Sequence, residues 1–112
     1  MEDPLRSKLR EVDAAAVELQ DALERLRHAV RTIDRARARG TAVSRLVDDG
    51  PGRDARRRVR AAWTRLSRAL KSYRAESARL MVEQENMTIT EVARVTRNAR
   101  QVISRLYHTS SR

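Results

Sequence analysis

Two long stretches of the chain repeat apolar residues at alternating steps of four and three, which is the spacing of a coiled coil. The first stretch runs from Leu5 to Ile33, and Arg37 breaks it at the next position of the repeat. The second stretch runs from Val59 to Leu80. A repeat of about 3.5 residues fits one face of a helix and does not fit the two-residue alternation of a strand. The repeat therefore predicts an all-α fold built on two long helices.

Capping residues set the expected ends of these helices. Asp3 is a favourable N-cap, and Pro4 stands at the first helical position, where a missing N–H costs nothing. Gly40 suits the left-handed residue after a helix end, and Asp54 is the expected cap of the second helix. The predicted helices cover residues 4–39 and 54–85, with a linker at 40–53. Within the linker we expect one or two helical turns that close the hairpin end through Val43, Leu46 and Val47.

Two helices of matched length and matched pattern predict an antiparallel coiled-coil hairpin. In both helices an alanine directly precedes one of the two apolar positions of most heptads. These alanines widen the apolar face and allow the two backbones to approach closely. We expect this wide face to be covered in a homodimer, as a four-helix bundle of two hairpins. Long parallel helices that pair between two chains are an alternative that the sequence leaves open. The predicted dimer and hairpin core consists of Leu19, Leu23, Leu26, Val30, Trp63, Leu66, Leu70 and Tyr73.

Charges along the two stretches favour the antiparallel arrangement. Acidic residues of the first helix would lie beside basic residues of the second, which favours one register although each exposed pair contributes only about 0–1 kcal/mol. The expected partners are Glu11, Asp13, Glu18, Asp21 and Glu24 on one helix and Arg65, Arg68, Lys71, Arg74 and Arg79 on the other.

A different pattern follows the long helices, at residues 88–107. Thr88 and Glu91 form the T-x-x-E pattern of a capping box, and Asn98 with Gln101 repeats that spacing ten residues later. Two short helices joined by a tight turn are therefore predicted. Their expected inward stripe is Ile89, Val92, Ala93, Thr96, Ala99, Val102, Ile103 and Leu106. The end of the second long helix is expected to support them through Ala78, Leu80, Met81 and Val82.

This segment resembles the helix-turn-helix of bacterial regulators and of resolvase or invertase type recombinases. The resemblance is carried by Thr88, Glu91, Val92, Ala93, Arg100, Gln101, Ile103 and Arg105. In that family a small alanine lets the two helices approach closely, and Ala93 corresponds to it. The turn departs from the family, which usually has glycine and then an aliphatic residue where this chain has Arg97 and Asn98.

The resemblance implies a DNA-binding head at residues 87–112, after a coiled-coil hairpin at residues 1–86. The second helix of the head, residues 99–107, would read the major groove of double-stranded DNA. The expected base-reading residues are Arg100, Gln101, Ser104 and Arg105, because arginine suits guanine, glutamine suits adenine and serine suits either. Phosphate contacts are expected from Arg94, Arg97 and Tyr107.

The net charge of +10 indicates a polyanionic partner. Residues 1–54 are neutral in sum, so the excess lies in the later part of the chain. Lys8 and Lys71 are the only lysines, and arginine, which supplies the rest, suits bidentate contacts to phosphate and guanine. A candidate second basic patch, with a solvated basic tip as its alternative, consists of Arg53, Arg56, Arg57, Arg58 and Arg60.

The common enzymatic and metal chemistries find no support in the sequence. The chain has no cysteine, and His28 and His108 lack partners at metal-ligand or nucleophile spacing. The pattern contains no Gly-rich phosphate loop, no apolar run of membrane-spanning length and no secretory leader. We therefore expect a non-enzymatic protein with no cofactor, no metal, no membrane contact and no small-molecule ligand, located at the nucleoid in a bacterial cytoplasm.

These features together predict a dimeric DNA-binding protein, either a transcriptional regulator or a nucleoid-associated factor. The alternative is a coiled-coil adaptor whose C-terminal head binds another protein, such as part of the transcription machinery. A basic amphipathic protein of the membrane surface is disfavoured, because the coiled-coil face is better suited to a partner helix.

Overall fold

The protein is all-helical, as the heptad pattern predicts. The computed structural model describes residues 3–48 and 50–110, without the side chains of residues 48, 109 and 110. Every regular element in this described part is a helix. The elements are α1 (Pro4–Ala38), α2 (Val43–Asp48), α3 (Pro51–Glu83), α4 (Ile89–Thr96) and α5 (Arg100–Ser110).

The chain forms two compact units, and their boundary differs from the division expected at residues 86 and 87. The hairpin unit is Ala14–Leu66, and the head unit combines Met1–Asp13 with Ser67–Arg112. The head unit therefore contains the first turns of α1 and the second half of α3, in addition to α4 and α5.

Both ends of α1 are formed by the residues that the sequence indicates. The Leu5 amide donates to the Asp3 carboxylate at 2.8 Å, which satisfies one of the orphan N–H groups of the first turn. At the other end Gly40 has a φ of +93°. Its amide donates to the Arg37 carbonyl at 2.9 Å, and the Thr41 amide donates to the Ala36 carbonyl at 3.0 Å. This is a Schellman motif, and it ends α1 one residue before the predicted position.

The linker is tighter than predicted, because α3 begins at Pro51 and not at the expected cap Asp54. Proline at the first helical position has the correct φ and no N–H to satisfy. Asp54 lies in the first turn, where its carboxylate accepts from the Arg58 Nε at 3.1 Å. The prediction that Val43, Leu46 and Val47 of α2 close the hairpin end is wrong for two of these three residues. Val43 and Val47 are exposed, and Leu46 is half-buried.

Inside the hairpin unit, α1 and α3 run antiparallel. Glu18 forms an ion pair with Arg65, and a Cβ placed on Gly52 would lie only 2.9 Å from the Ile33 Cδ1. These two contacts give one register along both helices. That register brings two sets of buried alanines to the same levels of the interface, Ala22 and Ala29 on α1 and Ala62 and Ala55 on α3.

The hairpin is therefore closed by alanines, and the larger residues predicted for the dimer and hairpin core are not fully buried within a single chain. Trp63 is 60% exposed and Val30 is 55% exposed, and Leu23 and Leu70 are exposed as well. The remaining four predicted core residues, Leu19, Leu26, Leu66 and Tyr73, are half-buried. The physical reason is the width of the apolar face. Two helices approach most closely where side chains are smallest, so they meet on the alanine stripe and leave the larger side chains to one side.

The flanking ion pairs form only in part as predicted. Glu18 and Arg65 pair across the two helices. Arg79, expected to face the first helix, instead binds two carboxylates of its own helix, Glu76 and Glu83, the latter at 2.7 Å.

Glu76 occupies a position of the α3 alanine stripe inside the head unit and is buried. The hydrogen bond from Arg79 lowers the pKa of Glu76, against the opposing effect of burial. The positive charge of Lys8 on α1 lowers it further. A carboxyl group with a lowered folded-state pKa stabilises the fold at neutral pH, and this contribution is lost as the pH falls through the lowered pKa.

The alanine stripe gives a direct test of the packing. Replacing Ala62 with Leu should destabilise the protein by about 1–3 kcal/mol, because the larger side chain forces α1 and α3 apart. Urea unfolding followed by circular dichroism at a fixed protein concentration measures this change. The matched control is Ala61→Leu, because Ala61 is the preceding residue of the same helix and is exposed. Equal effects of the two substitutions would show that the alanine stripe does not close the hairpin.

Candidate nucleic-acid interface

The head unit has its own core, in which α4 and α5 pack on the second half of α3. Small residues of α3 and α4 allow this close packing, and two larger residues of α5 fill the centre. The buried residues are Ala75, Ala78, Val92, Ala93, Ile103 and Leu106, with Met81, Val82, Met87 and Ile89 packed around them. Ala93 lies where the resemblance places the small alanine. Ala99 and Val102, expected to point inward, are exposed.

The first helix of the pair begins with the capping box that the sequence predicts. The Glu91 amide donates to the Thr88 hydroxyl at 3.1 Å, and the Thr88 amide donates to the Glu91 carboxylate at 3.2 Å. Hydrogen bonds to the Glu91 carboxylate from the Thr88 backbone amide and the Thr88 side chain favour its ionised form and lower the pKa of Glu91. The cap fixes where α4 begins relative to the end of α3.

The turn between α4 and α5 places an arginine in a left-handed conformation. Arg97 has φ 58° and ψ 36°, and its side chain is exposed. Its amide donates to the Arg94 carbonyl at 3.3 Å, while the Asn98 amide donates to the Ala93 carbonyl at 3.0 Å. These are the hydrogen bonds of a Schellman motif, whose left-handed residue is usually glycine. Arg97 therefore holds the left-handed position of this turn with backbone strain that glycine would not have.

Asn98 does not cap α5 as predicted. Its side-chain amide donates back to the Thr96 carbonyl at 3.2 Å. The Ala99 carbonyl accepts from the Ile103 amide at 3.2 Å, so the helix begins one residue later than expected, at Arg100. The Asn98 side chain therefore stabilises the end of α4 and not the start of α5.

The four expected base-reading residues are divided between the outer face of α5 and its flank. Gln101 and Arg105 are exposed and lie one turn apart, opposite the buried side of the helix. Arg100 and Ser104 are one turn apart on the flank, where Arg100 is exposed and Ser104 is half-buried. Tyr107 continues this flank, half-buried, with its ring 5.5 Å from that of His108 in an edge-on contact. Gln101 and Arg105 are therefore the best-placed residues for a groove.

A cationic cavity adjoins the outer face of α5. Its volume is about 220 Å³, and it is lined by Arg105 of α5, by Lys71 and Arg74 of α3, and by Val102 and Leu106. Three positive charges around one concave surface raise the local concentration of anions. The charge pattern along the two long helices predicted ion pairs of Lys71 and Arg74 with α1. The spacing from Lys71 to Arg105 in the chain gave no indication that they share a cavity.

The other arginines that the sequence suggests for DNA contact are exposed on helix surfaces. Arg94 is exposed on α4. The five arginines of the candidate second patch are exposed on the part of α3 that belongs to the hairpin unit. Two of these side chains also bond locally, Arg58 to Asp54 and Arg56 through its Nε to the Gly52 carbonyl at 3.3 Å.

A larger cavity of about 720 Å³ lies elsewhere in the head unit. Asp3 and Leu5 of the N-terminal segment line one part of it, and Asn98 and Ile103 line another. The N-terminal segment therefore comes close to the turn between α4 and α5, which sequence periodicity does not predict.

Comparisons with known proteins give no relative for this chain. No protein-family model matches it, and searches of curated proteins and of solved structures find no significant similarity. Within residues 3–48 and 50–110, no cluster of His, Cys, Asp and Glu side chains could hold a metal ion. In the same described part, no helix is long and apolar enough to cross a membrane. A functional assignment for this chain therefore rests on the geometry and charge of the head unit.

The strained turn yields a prediction about stability. Replacing Arg97 with Gly should stabilise the protein by about 0.5–1 kcal/mol, because glycine adopts a positive φ without the penalty of a Cβ and loses part of that gain to its greater freedom when unfolded. Thermal and urea unfolding measure the change. Asn86→Gly is the matched control, since Asn86 has a φ of 56° and asparagine already tolerates this conformation. A lower stability of Arg97→Gly would contradict the strain at this turn.

Proposed function

We propose that this protein binds double-stranded DNA and inserts α5 into the major groove. The observation that carries the proposal is the outer face of α5, where Gln101 and Arg105 are exposed and Arg105 also lines the cavity formed with Lys71 and Arg74. A helix supported by a second helix across a tight turn is the form in which a helix-turn-helix presents side chains to base edges. The excess positive charge of the later part of the chain supports the same partner.

The exposed residues divide into base-reading and positioning roles. Gln101 suits adenine and Arg105 suits guanine, while Arg100 and Ser104 would reach the edge of the same groove from the flank. Arg94, Arg97 and Tyr107 remain the proposed phosphate contacts. Lys71 and Arg74 join them, because phosphate contacts fix the register of a protein on the duplex.

This proposal describes a transcriptional regulator or a nucleoid-associated factor of a bacterial chromosome, without catalytic activity of its own. Homodimerisation would place two heads on one DNA and add specificity that a single recognition helix lacks. The arginines at positions 53, 56, 57, 58 and 60 are proposed as additional, sequence-independent phosphate contacts.

The second candidate function is that of an adaptor whose head binds another protein. Its support is apolar: Val95 of α4 and Val102 of α5 are both exposed on the head unit. Exposed apolar residues near a groove-binding helix favour a protein partner over phosphate. The two candidate functions predict different partners for the outer face of α5, which are DNA in the first case and another protein in the second.

Selection of DNA from a random pool tests the base-reading role. The wild-type protein should enrich a defined sequence, and the double substitution Arg100→Ala and Gln101→Ala should lower affinity for it, by about 1–3 kcal/mol for each lost bidentate base contact. Circular dichroism checks that the variant keeps its helices. Arg25→Ala with Arg31→Ala is the control, because both arginines are exposed on α1. Absence of any enriched sequence with the wild-type protein would reject base reading by α5, and absence of any binding to duplex DNA would favour the adaptor.

The cationic cavity is tested separately by the salt dependence of binding. Substituting Lys71 and Arg74 with Gln should weaken binding to specific and to random duplexes alike. It should also flatten the plot of log affinity against log salt concentration by roughly one unit for each lost phosphate contact. Fluorescence anisotropy over a range of salt concentrations measures the slope. An unchanged slope, with Arg25→Gln and Arg31→Gln as control, would show that the cavity does not contact phosphate.

A further inference from the structure

The hairpin unit exposes a broad apolar surface, which we call the Trp63 face. It consists of Leu19, Leu23, Leu26, Val30, Trp63 and Leu66. Trp63, Val30 and Leu23 are exposed, and the other three are half-buried beside the alanine stripe. These six residues are among the large side chains left uncovered when α1 and α3 meet on their alanines.

Helix geometry puts the α1 and α3 parts of the face on the same side of the hairpin unit. On each helix, large residues stand one and four positions after a buried alanine. Leu23 and Leu26 follow Ala22 on α1, and Trp63 and Leu66 follow Ala62 on α3 in the same way. The large residues therefore lie on the same rotational side of the alanine stripe on both helices. Because α1 and α3 are antiparallel, the same rotation on both helices leads to the same side of the pair. The face is therefore two helices wide and continuous across the alanine stripe.

The size of the face corresponds to that of a protein interface. Trp63 alone exposes apolar surface on the order of 150 Å². The whole face comes to roughly 400 Å², which is within the size range of the largest apolar patch on a typical monomer, and such patches often serve in binding. A standard interface buries about 800 Å² on each partner, somewhat more than half of it apolar. The Trp63 face can therefore form the apolar centre of such an interface.

We propose that a second copy of this chain covers the Trp63 face, so that two hairpin units form a four-helix bundle. The face is self-complementary, because it presents two antiparallel stripes of equal character, and a two-fold axis lays one such pair onto another. The inference concerns the hairpin unit alone and does not depend on DNA binding.

Charge decides which helices face each other in this bundle. Within the hairpin unit, α3 carries six arginines and a single aspartate, whereas α1 mixes acidic and basic residues. Two copies of α3 placed against each other would repel, since like charges at close range destabilise an interface. Each α1 therefore lies against α3 of the partner. The antiparallel register then brings Leu23 level with Trp63 of the partner subunit.

Solution mass measures the assembly. Sedimentation equilibrium of the full chain without DNA should give twice the monomer mass of 12.9 kDa. Leu23→Glu and Trp63→Glu should each shift the protein to monomer, because a charge on the Trp63 face cannot be buried against apolar side chains. The control is Val17→Glu: Val17 is 48% exposed against 43% for Leu23, on another side of α1, and this variant should remain dimeric. A monomeric wild type, or dissociation of the Val17 variant to the same extent, would overturn the proposal.

Cross-linking tests the pairing of α1 with α3 of the partner. The chain has no cysteine, so single substitutions introduce the only thiols. An oxidised mixture of the Leu23→Cys and Trp63→Cys chains should give a disulfide-linked species that contains one chain of each kind. A dimer of correct mass in which only like chains become linked would refute this arrangement. A dimer that forms as described but binds no DNA would leave the inference intact and reject only the proposed function.

Discussion

Close approach of helix backbones across alanines is the interaction on which the rest of this structure depends. Among the residues that the structure describes, eight of the eleven buried apolar ones are alanines, and they lie both between the long helices and inside the head. An alanine interface gains little from side-chain burial, so its stability rests on dispersion contacts between tightly packed backbones. It also fixes the register firmly, because a shift along the helix would bring a larger side chain into the seam. The same tight packing leaves the large apolar residues without a partner inside their own chain.

Periodicity predicted the helices well and their packing poorly. A heptad repeat identifies which side of a helix is apolar, but on a face as wide as this one several stripes compete for the partner helix. The largest residues, such as Trp63 and Leu23, were the natural choice for a core, and steric closeness selected Ala62 and Ala22 instead. Local capping chemistry was more reliable where a single hydrogen bond decides the outcome. Asp3 and Thr88 cap as expected, whereas Asp54 lost its role because Pro51 could begin the helix earlier.

The sequence predicted the helix that forms the candidate site, but it did not predict which other residues share its surface. The pattern at residues 88–107 shows which side chains of α5 point outward, and Gln101 and Arg105 do so. The contribution of α3 was hidden, because Lys71 and Arg105 are distant in sequence and meet only through tertiary packing. Arg97 could be recognised from the sequence as an unusual residue for a tight turn. In the structure it forms the turn with a left-handed backbone conformation.

The head unit is discontinuous in the chain, and this affects how it can be made and dissected. Its core residues Ala75 and Ala78 belong to α3, and its N-terminal segment lines a cavity with Asn98 and Ile103. During synthesis residues 3–13 emerge well before their partners in the head unit, which lie after residue 66. Contacts between such distant segments slow folding. A fragment that begins at residue 87 would lack the α3 alanines on which α4 and α5 pack.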